Sequence, residues 1–291
     1  MNQPHIFLDS GDPEETKQAK QLLGFLDGQT TNPSLVAKNP DVREYLAKGK
    51  KMTETELLAM YKEIVQAIRK EIDGSISIET YADWTTTAEE MLKQAQEMNT
   101  WIENAHIKFP TIPEGLKAAN MFVQQGGQVN MTLVFDQEQA AAVYSATLNS
   151  QKTHFVSPFV GRWDDRGYQG LDLIENIVKM YVGFNEQLSK TTSHVKVLSA
   201  SIRNLHHFYA SIILGADILT VPLKVLKQWV EEGKKIPEPS YQTRMTGLQS
   251  LDYKEIAFNN DYQSYAVGKV DGSLLDEGLV KFSQDWKKLI Q

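Results

Sequence analysis

The run AHIKFP, residues 105–110, sets a lone cation, Lys108, among apolar neighbours. Helical patterns flank the run on both sides, so it reads as a strand of a parallel sheet. A strand buried on both faces has no low-cost place for an ammonium group. Lys108 therefore either snorkels to a rim or has chemical work to do. Strand alternation sets it opposite Ile107 and Phe109, so it faces the inside of the sheet assembly if they face helices.

Outward from this run, short β-branched stretches alternate with longer segments of helical period, the rhythm of a parallel sheet with helical crossovers. Eight strand candidates follow: HIFLD (5–9), GQTTN (28–32), SISIET (75–80), HIKF (106–109), QVNMTL (128–133), HFVSPF (154–159), VKVLSAS (195–201) and DILTV (217–221). Eight such units predict a closed (β/α)8 TIM barrel. Helix starts are signalled at Asp12-Pro13-Glu14-Glu15 and by the pairs Thr53/Glu56, Thr87/Glu90 and Thr111/Glu114, each with capping-box spacing. A helix is expected at 223–232. At GKKIPEPSYQT the composition shifts to a linker, and helical period returns at 273–290. The expected division is a catalytic barrel over 1–235 and a mainly helical C-terminal extension over 236–291 that packs on it.

The 291 residues carry 41% hydrophobic and 23% charged side chains, globular values that support a large core. Net charge is −7, and the densest basic cluster is only Lys48, Lys50 and Lys51, which argues against nucleic acid or a membrane surface as partner. No cysteine is present, which excludes thiolate chemistry and fits a cytoplasmic home. The start MNQPHIFLDS lacks a secretory pattern, and FYASIILGADILTVPL (208–223) is too short and interrupted to span a bilayer. The six histidines show no ligand spacing, so no metal is expected.

Barrel enzymes draw reactive groups from the C-terminal ends of their strands. Here those ends offer Asp9, Thr31 and Asn32, Glu79, Lys108, Asn130 and Thr132, Ser157 with Arg162, and Ser201 with Arg203. Singly, each has a bland reading: Asp9 a turn residue, Thr132 a satisfied β-former, Arg162 a partner of Asp164. Together they form a ring around Lys108. A buried lysine suits Schiff-base formation with a ketone or aldehyde. At its ordinary pKa of about 10.4 only about 0.04% is neutral at pH 7, so the site must depress that value, and burial acts in that direction. Glu79 and Asp9 offer two proton tasks, Thr132 a hold on water, and Asn32 and Asn130 amides for sugar hydroxyls. Ser201, Arg203 and the helix start at Asn204, with Arg162, form a candidate phosphate pocket.

The segments FLDSGDPEE, DGQTTNPSL (27–35), SIET (77–80), IKFPTIPEGLKAA (107–119), NMTLVFDQEQA (130–140), SPFVGRWDD (157–165) and SASIRN (199–204) resemble the transaldolase family, in its order, from Phe7 to about Trp229. The phrasing is closest to the small bacterial class, with a longer tail and with Asp136 in place of the usual serine. The resemblance implies a class I aldolase barrel with Lys108 as Schiff-base residue. It assigns Asp9 as base for the C4 hydroxyl and Glu79 with Thr132 as activators of water. Asn32, Asn130, Ser157 and Phe159 would contact the dihydroxyacetone unit, and Arg162, Ser201 and Arg203 the phosphate. The implied reaction moves that unit from sedoheptulose 7-phosphate to glyceraldehyde 3-phosphate in the pentose phosphate pathway, without cofactor. Its partners would be sugar phosphates, and a homo-oligomer is compatible with the sequence. A fructose 6-phosphate aldolase is the nearest alternative, in which glutamine would be expected at Glu79 and tyrosine at Phe159. A silent sugar-phosphate binding protein is the alternative from another class.

Overall fold

The computed structural model describes residues 3–49 and 51–290, and Lys50 of the basic cluster lies outside the described residues. Its eight strands are β1 (His5–Asp9), β2 (Gly28–Thr30), β3 (Ser75–Glu79), β4 (Ala105–Pro110), β5 (Val129–Val134), β6 (His154–Pro158), β7 (Val195–Ser199) and β8 (Ile218–Val221). All pair in parallel in chain order, and β8 pairs back to β1, so the sheet closes as a TIM barrel.

The barrel helices are α1 (Pro13–Leu23), α2 (Pro33–Val36), α3 (Pro40–Ala47), α4 (Glu54–Glu71), α5 (Ala88–Met98), α6 (Pro113–Gln124), α7 (Gln137–Ala146), α8 (Val160–Asp164), α9 (Leu171–Gln187), α10 (Leu205–Ile213) and α11 (Leu223–Glu231). A last helix, α12 (Leu274–Lys287), follows a long irregular stretch. No helix among the described residues is long and apolar enough to cross a membrane.

Strand alternation divides the core. Ile107 and Phe109 are fully buried in the main cluster between sheet and helices, while Phe7, Phe155 and Ile218 form a separate cluster inside the barrel. Between β5 and β6 the register shifts between Met131 and Val134, and Leu133 adopts φ 58°. Such a bulge bends the strand and re-aims its side chains, here at Thr132.

Thr53 and Thr87 form full capping boxes with Glu56 and Glu90, as their spacing predicts. Thr87→Ala is expected to lower stability by about 1 kcal/mol in urea denaturation. Asp136 caps α7 by accepting from Gln139 N. Thr111 departs from expectation: Ile112 is the cap of α6, without a side-chain hydrogen bond, and Thr111 Oγ1 donates instead to Thr132 O at 2.8 Å. The carbonyl at the β5 bulge outcompetes the helix start for that hydroxyl.

The stretch after α11 is fastened along the outside of the barrel. Asp172 accepts from Leu251 N at 3.0 Å, and Gln137 exchanges two hydrogen bonds with the Lys254 backbone, at 2.7 and 2.9 Å. It then delivers α12 across the C-terminal ends of the strands. There Trp84 Nε1 donates to Asp276 at 2.7 Å, and Trp286, 2% exposed, lies against the rings of Tyr61 and Tyr81. Gly278 lets this helix approach β5, since a methyl there would sit 2.9 Å from Leu133 Cδ2.

Candidate active site

Register brings the central groups together. Glu79 pairs with Lys108 across β3 and β4, and Lys108 pairs with Asn130 across β4 and β5. Lys108 and Glu79 are only 4% and 3% exposed, and Lys108 Nζ lies 2.8 Å from Glu79 Oε2. The ammonium also donates to Thr31 O at 3.2 Å. Its contact with Glu79 is a charge contact rather than an aligned hydrogen bond, since that oxygen gains no hydrogen-bond geometry. Burial pushes the Glu79 carboxyl up, against the opposing pull of Lys108.

Tyr61 fixes this strand end from behind. Its hydroxyl accepts from Glu79 N at 3.0 Å and shares a 2.5 Å hydrogen bond with Thr31 Oγ1. Burial drives its own pKa well up, so it stays a neutral phenol. Nothing in the sequence around Tyr61 marks this role, because its partners, Thr31 and Glu79, lie at the ends of two strands elsewhere in the chain.

A cavity of about 240 Å³ opens above Lys108, lined among others by Asp9, Asn32, Thr132, Ser157, Phe159, Arg162 and Ser201. Asp9 Oδ1 accepts from Thr30 Oγ1 at 2.8 Å, and burial raises its pKa, with Lys108 and the Thr30 hydrogen bond pulling the other way. The Thr132 hydroxyl is fully buried and bonds to no described residue. An unsatisfied buried hydroxyl at a reactive rim marks a group kept for a ligand or a water. Asn32 Oδ1 caps α2 by accepting from Leu35 N at 2.9 Å, so the expected fifth residue of GQTTN is a helix cap rather than strand.

Three expected residues do not line this cavity: Glu79, which sits against Lys108, Asn130 and Arg203. Asn130 does not line the cavity: its amide donates to Ser77 Oγ at 3.0 Å and accepts from Ser157 Oγ at 2.6 Å, tying three strands inside the barrel. Arg203 also lies outside the lining. Its guanidinium is forked onto the Asp165 carboxylate, with Nη2 2.6 Å from Oδ2, and holds that acid below the usual carboxylate range. Arg162 lines the cavity, and Asp164, its partner in the bland reading, lies instead 2.7 Å from His207 Nε2.

Ser201 takes φ 60°, a left-handed conformation uncommon for serine, at the turn from β7 toward α10. Gly161 makes this crowding possible: a methyl there would meet Arg203 Nε at 2.4 Å. Two residues that line the cavity, Lys281 and Phe282, come from α12.

A closed parallel barrel with a buried lysine–carboxylate pair at its C-terminal mouth places the protein in the class of (β/α)8 barrels. The chain belongs to the transaldolase/fructose-6-phosphate aldolase family, whose model matches residues 6–291. A probable transaldolase of Thermoplasma volcanium is 33% identical over 286 residues, covering 98% of this chain and 96% of its own length. Those of Leptospira biflexa and Moorella thermoacetica are 36% and 39% identical, covering 80% and 78% of this chain and 99% and 89% of their own. The family match thus continues past Trp229, where the resemblance in sequence was expected to fade, through α12.

Proposed function

We propose that this protein is a transaldolase. It would transfer a dihydroxyacetone unit from sedoheptulose 7-phosphate to glyceraldehyde 3-phosphate, giving erythrose 4-phosphate and fructose 6-phosphate. The observation that carries this reading is the Lys108 amine, enclosed inside the barrel mouth 2.8 Å from a carboxylate whose pKa burial raises. Catalytic roles fall to Lys108, Asp9, Glu79 and Thr132.

In the first step Glu79 takes a proton from Lys108, and the neutral amine attacks C2 of the ketose. A proton returned from Glu79, through a water held by Thr132, lets the C2 hydroxyl leave as water and the imine form. Asp9 then removes the C4 hydroxyl proton. The C3–C4 bond breaks, its electron pair flows to the imine nitrogen as an enamine, and the aldehyde product departs. C3 of the enamine next attacks the acceptor aldehyde carbon, whose oxygen recovers the proton from Asp9. Water then adds to the new imine and frees Lys108. Asn32, Ser157 and Phe159 bound the three-carbon unit, Asn130 orients Ser157, and Arg162 and Ser201 face the phosphate end. For Arg203 to bind phosphate it would have to leave Asp165.

Borohydride reduction with fructose 6-phosphate, followed by peptide mass spectrometry, tests the mechanism. A single adduct on Lys108 is expected; an adduct on another lysine, or none, rejects it. Assays with and without erythrose 4-phosphate separate transfer from cleavage. Release of free dihydroxyacetone at a comparable rate without acceptor would make the protein an aldolase instead.

A further inference from the structure

We infer that Lys281, on the C-terminal helix α12, is a specificity-determining residue that binds the phosphate of the sugar substrates alongside Arg162. This rests on the proposed Schiff-base reading of the site. The cavity above Lys108 is lined by three further cations, Lys38, Arg162 and Lys281, and by one carboxylate, Asp9. In a protein of net charge −7 this local excess of positive charge fits a dianionic ligand. Arg203 is committed to Asp165 and lies outside the lining, and Lys38 stands near Asp9, whose pKa it pulls down, so Lys281 is the cation left to join Arg162.

Lys281 is built to move into that role. Its Nζ lies 3.1 Å from Asp285 Oδ2, one helical turn along α12. That carboxylate has two other donors, Ser34 Oγ at 2.5 Å and Lys288 Nζ at 3.2 Å, so it stays satisfied when Lys281 swings away. The lysine stem is flexible and more than half of the side chain is open, which keeps the swing inexpensive. The backbone beneath is firm: Phe282 and Trp286 are buried on the barrel, and Lys287 Nζ reaches Asp83 at 3.0 Å. Phe282 lines the cavity and also packs over Glu79 and Pro33, which sets the turn carrying Lys281 at the mouth.

The test compares kcat/KM for erythrose 4-phosphate with kcat/KM for unphosphorylated erythrose, with fructose 6-phosphate as donor. In Lys281→Ala the ratio of the two is expected to fall about tenfold, the size of one charge-assisted contact. Lys281→Arg should recover most of it. Lys288→Ala, which removes the neighbouring cation from the same carboxylate, should leave the ratio unchanged. An equal loss with both acceptors, or no loss, overturns the role of Lys281 while a Lys108 adduct in the same preparation keeps the Schiff-base reading standing. Wild-type protein that gives no Lys108 adduct overturns both.

Discussion

Lys108→Met is expected to abolish transfer and borohydride trapping together, with activity falling by at least about 10⁶-fold, the low end of enzymatic accelerations. The same substitution should change stability in a way that depends on pH. Glu79 is 3% exposed, and without the ammonium at 2.8 Å it becomes a buried carboxylate with no cation. Leaving one member of a buried pair unpartnered costs about 3–5 kcal/mol when the charge is retained. Glu79 escapes that cost by holding its proton, since burial already raises its pKa and the lowering pull of Lys108 is gone. A group whose folded pKa is raised contributes stability that is present below its unfolded value and is lost as pH rises through the folded one. The variant should therefore approach wild type in urea midpoint near pH 5 and fall increasingly below it toward pH 8. Adding Glu79→Met should remove this pH dependence, because replacing a whole buried pair by apolar groups is neutral or stabilising by about 1–4 kcal/mol. A double variant less stable at pH 8 than Lys108→Met alone would contradict this account of the pair.

Lys108 was legible in the sequence because a charge in a parallel strand has few bland explanations, and Glu79 and Thr132 because the barrel rule points to strand ends. What stayed hidden depends on partners far away in the chain. The bonds of Asn130 to Ser77 and Ser157 follow from a register that no single strand displays. Arg203 looked free because its fork partner, Asp165, lies 38 positions earlier, on the loop after another strand. Thr111 carried a correct capping spacing, but the bulge at Leu133 turned a carbonyl toward it. The destination of α12 was the largest gap. Its helical period predicts a helix packed on the barrel, and only tertiary contacts with Leu133, Trp84 and Tyr61 say that its place is the mouth.

The second large effect lies at the opposite end of the barrel. His106 and His154, near the starts of β4 and β6, are 3% and 0% exposed, and burial pushes both pKa values down to about 3. Half-buried His194, just before β7, is pushed down to about 4 by the same cause. Each neutral ring is held by protein partners: His106 Nδ1 shares a 2.6 Å hydrogen bond with Ser75 Oγ and its ring stacks on Phe155 at 3.9 Å, while His154 Nδ1 accepts from Val129 N. An unfolded chain binds protons at these positions from pH about 6.5 downward, whereas the folded one does not until near pH 3 or 4. Stability is therefore full above about pH 6.5 and drains as pH falls, at about 1.4 kcal/mol per pH unit for each fully buried ring. Asp9, Glu79 and Asp136 act oppositely, because their raised pKa values let the folded state take up protons as pH falls. The three rings drain stability below about pH 6.5 by at most about 1.4 kcal/mol per unit each, and the three carboxyls offset part of that loss. Against a typical total of about 5–15 kcal/mol that loss is decisive. Urea unfolding at pH 7, 6 and 5 should show it, accompanied by a net uptake of protons on unfolding near pH 5.5. His106→Gln should cut the slope by about a third of that three-ring contribution while leaving Lys108 trapping in place, since the substituted side chain lies among the inner apolar cluster rather than at the mouth. A stability that stays level from pH 7 to 5, or a slope that His106→Gln does not change, would show that these rings are not what makes the barrel sensitive to acid.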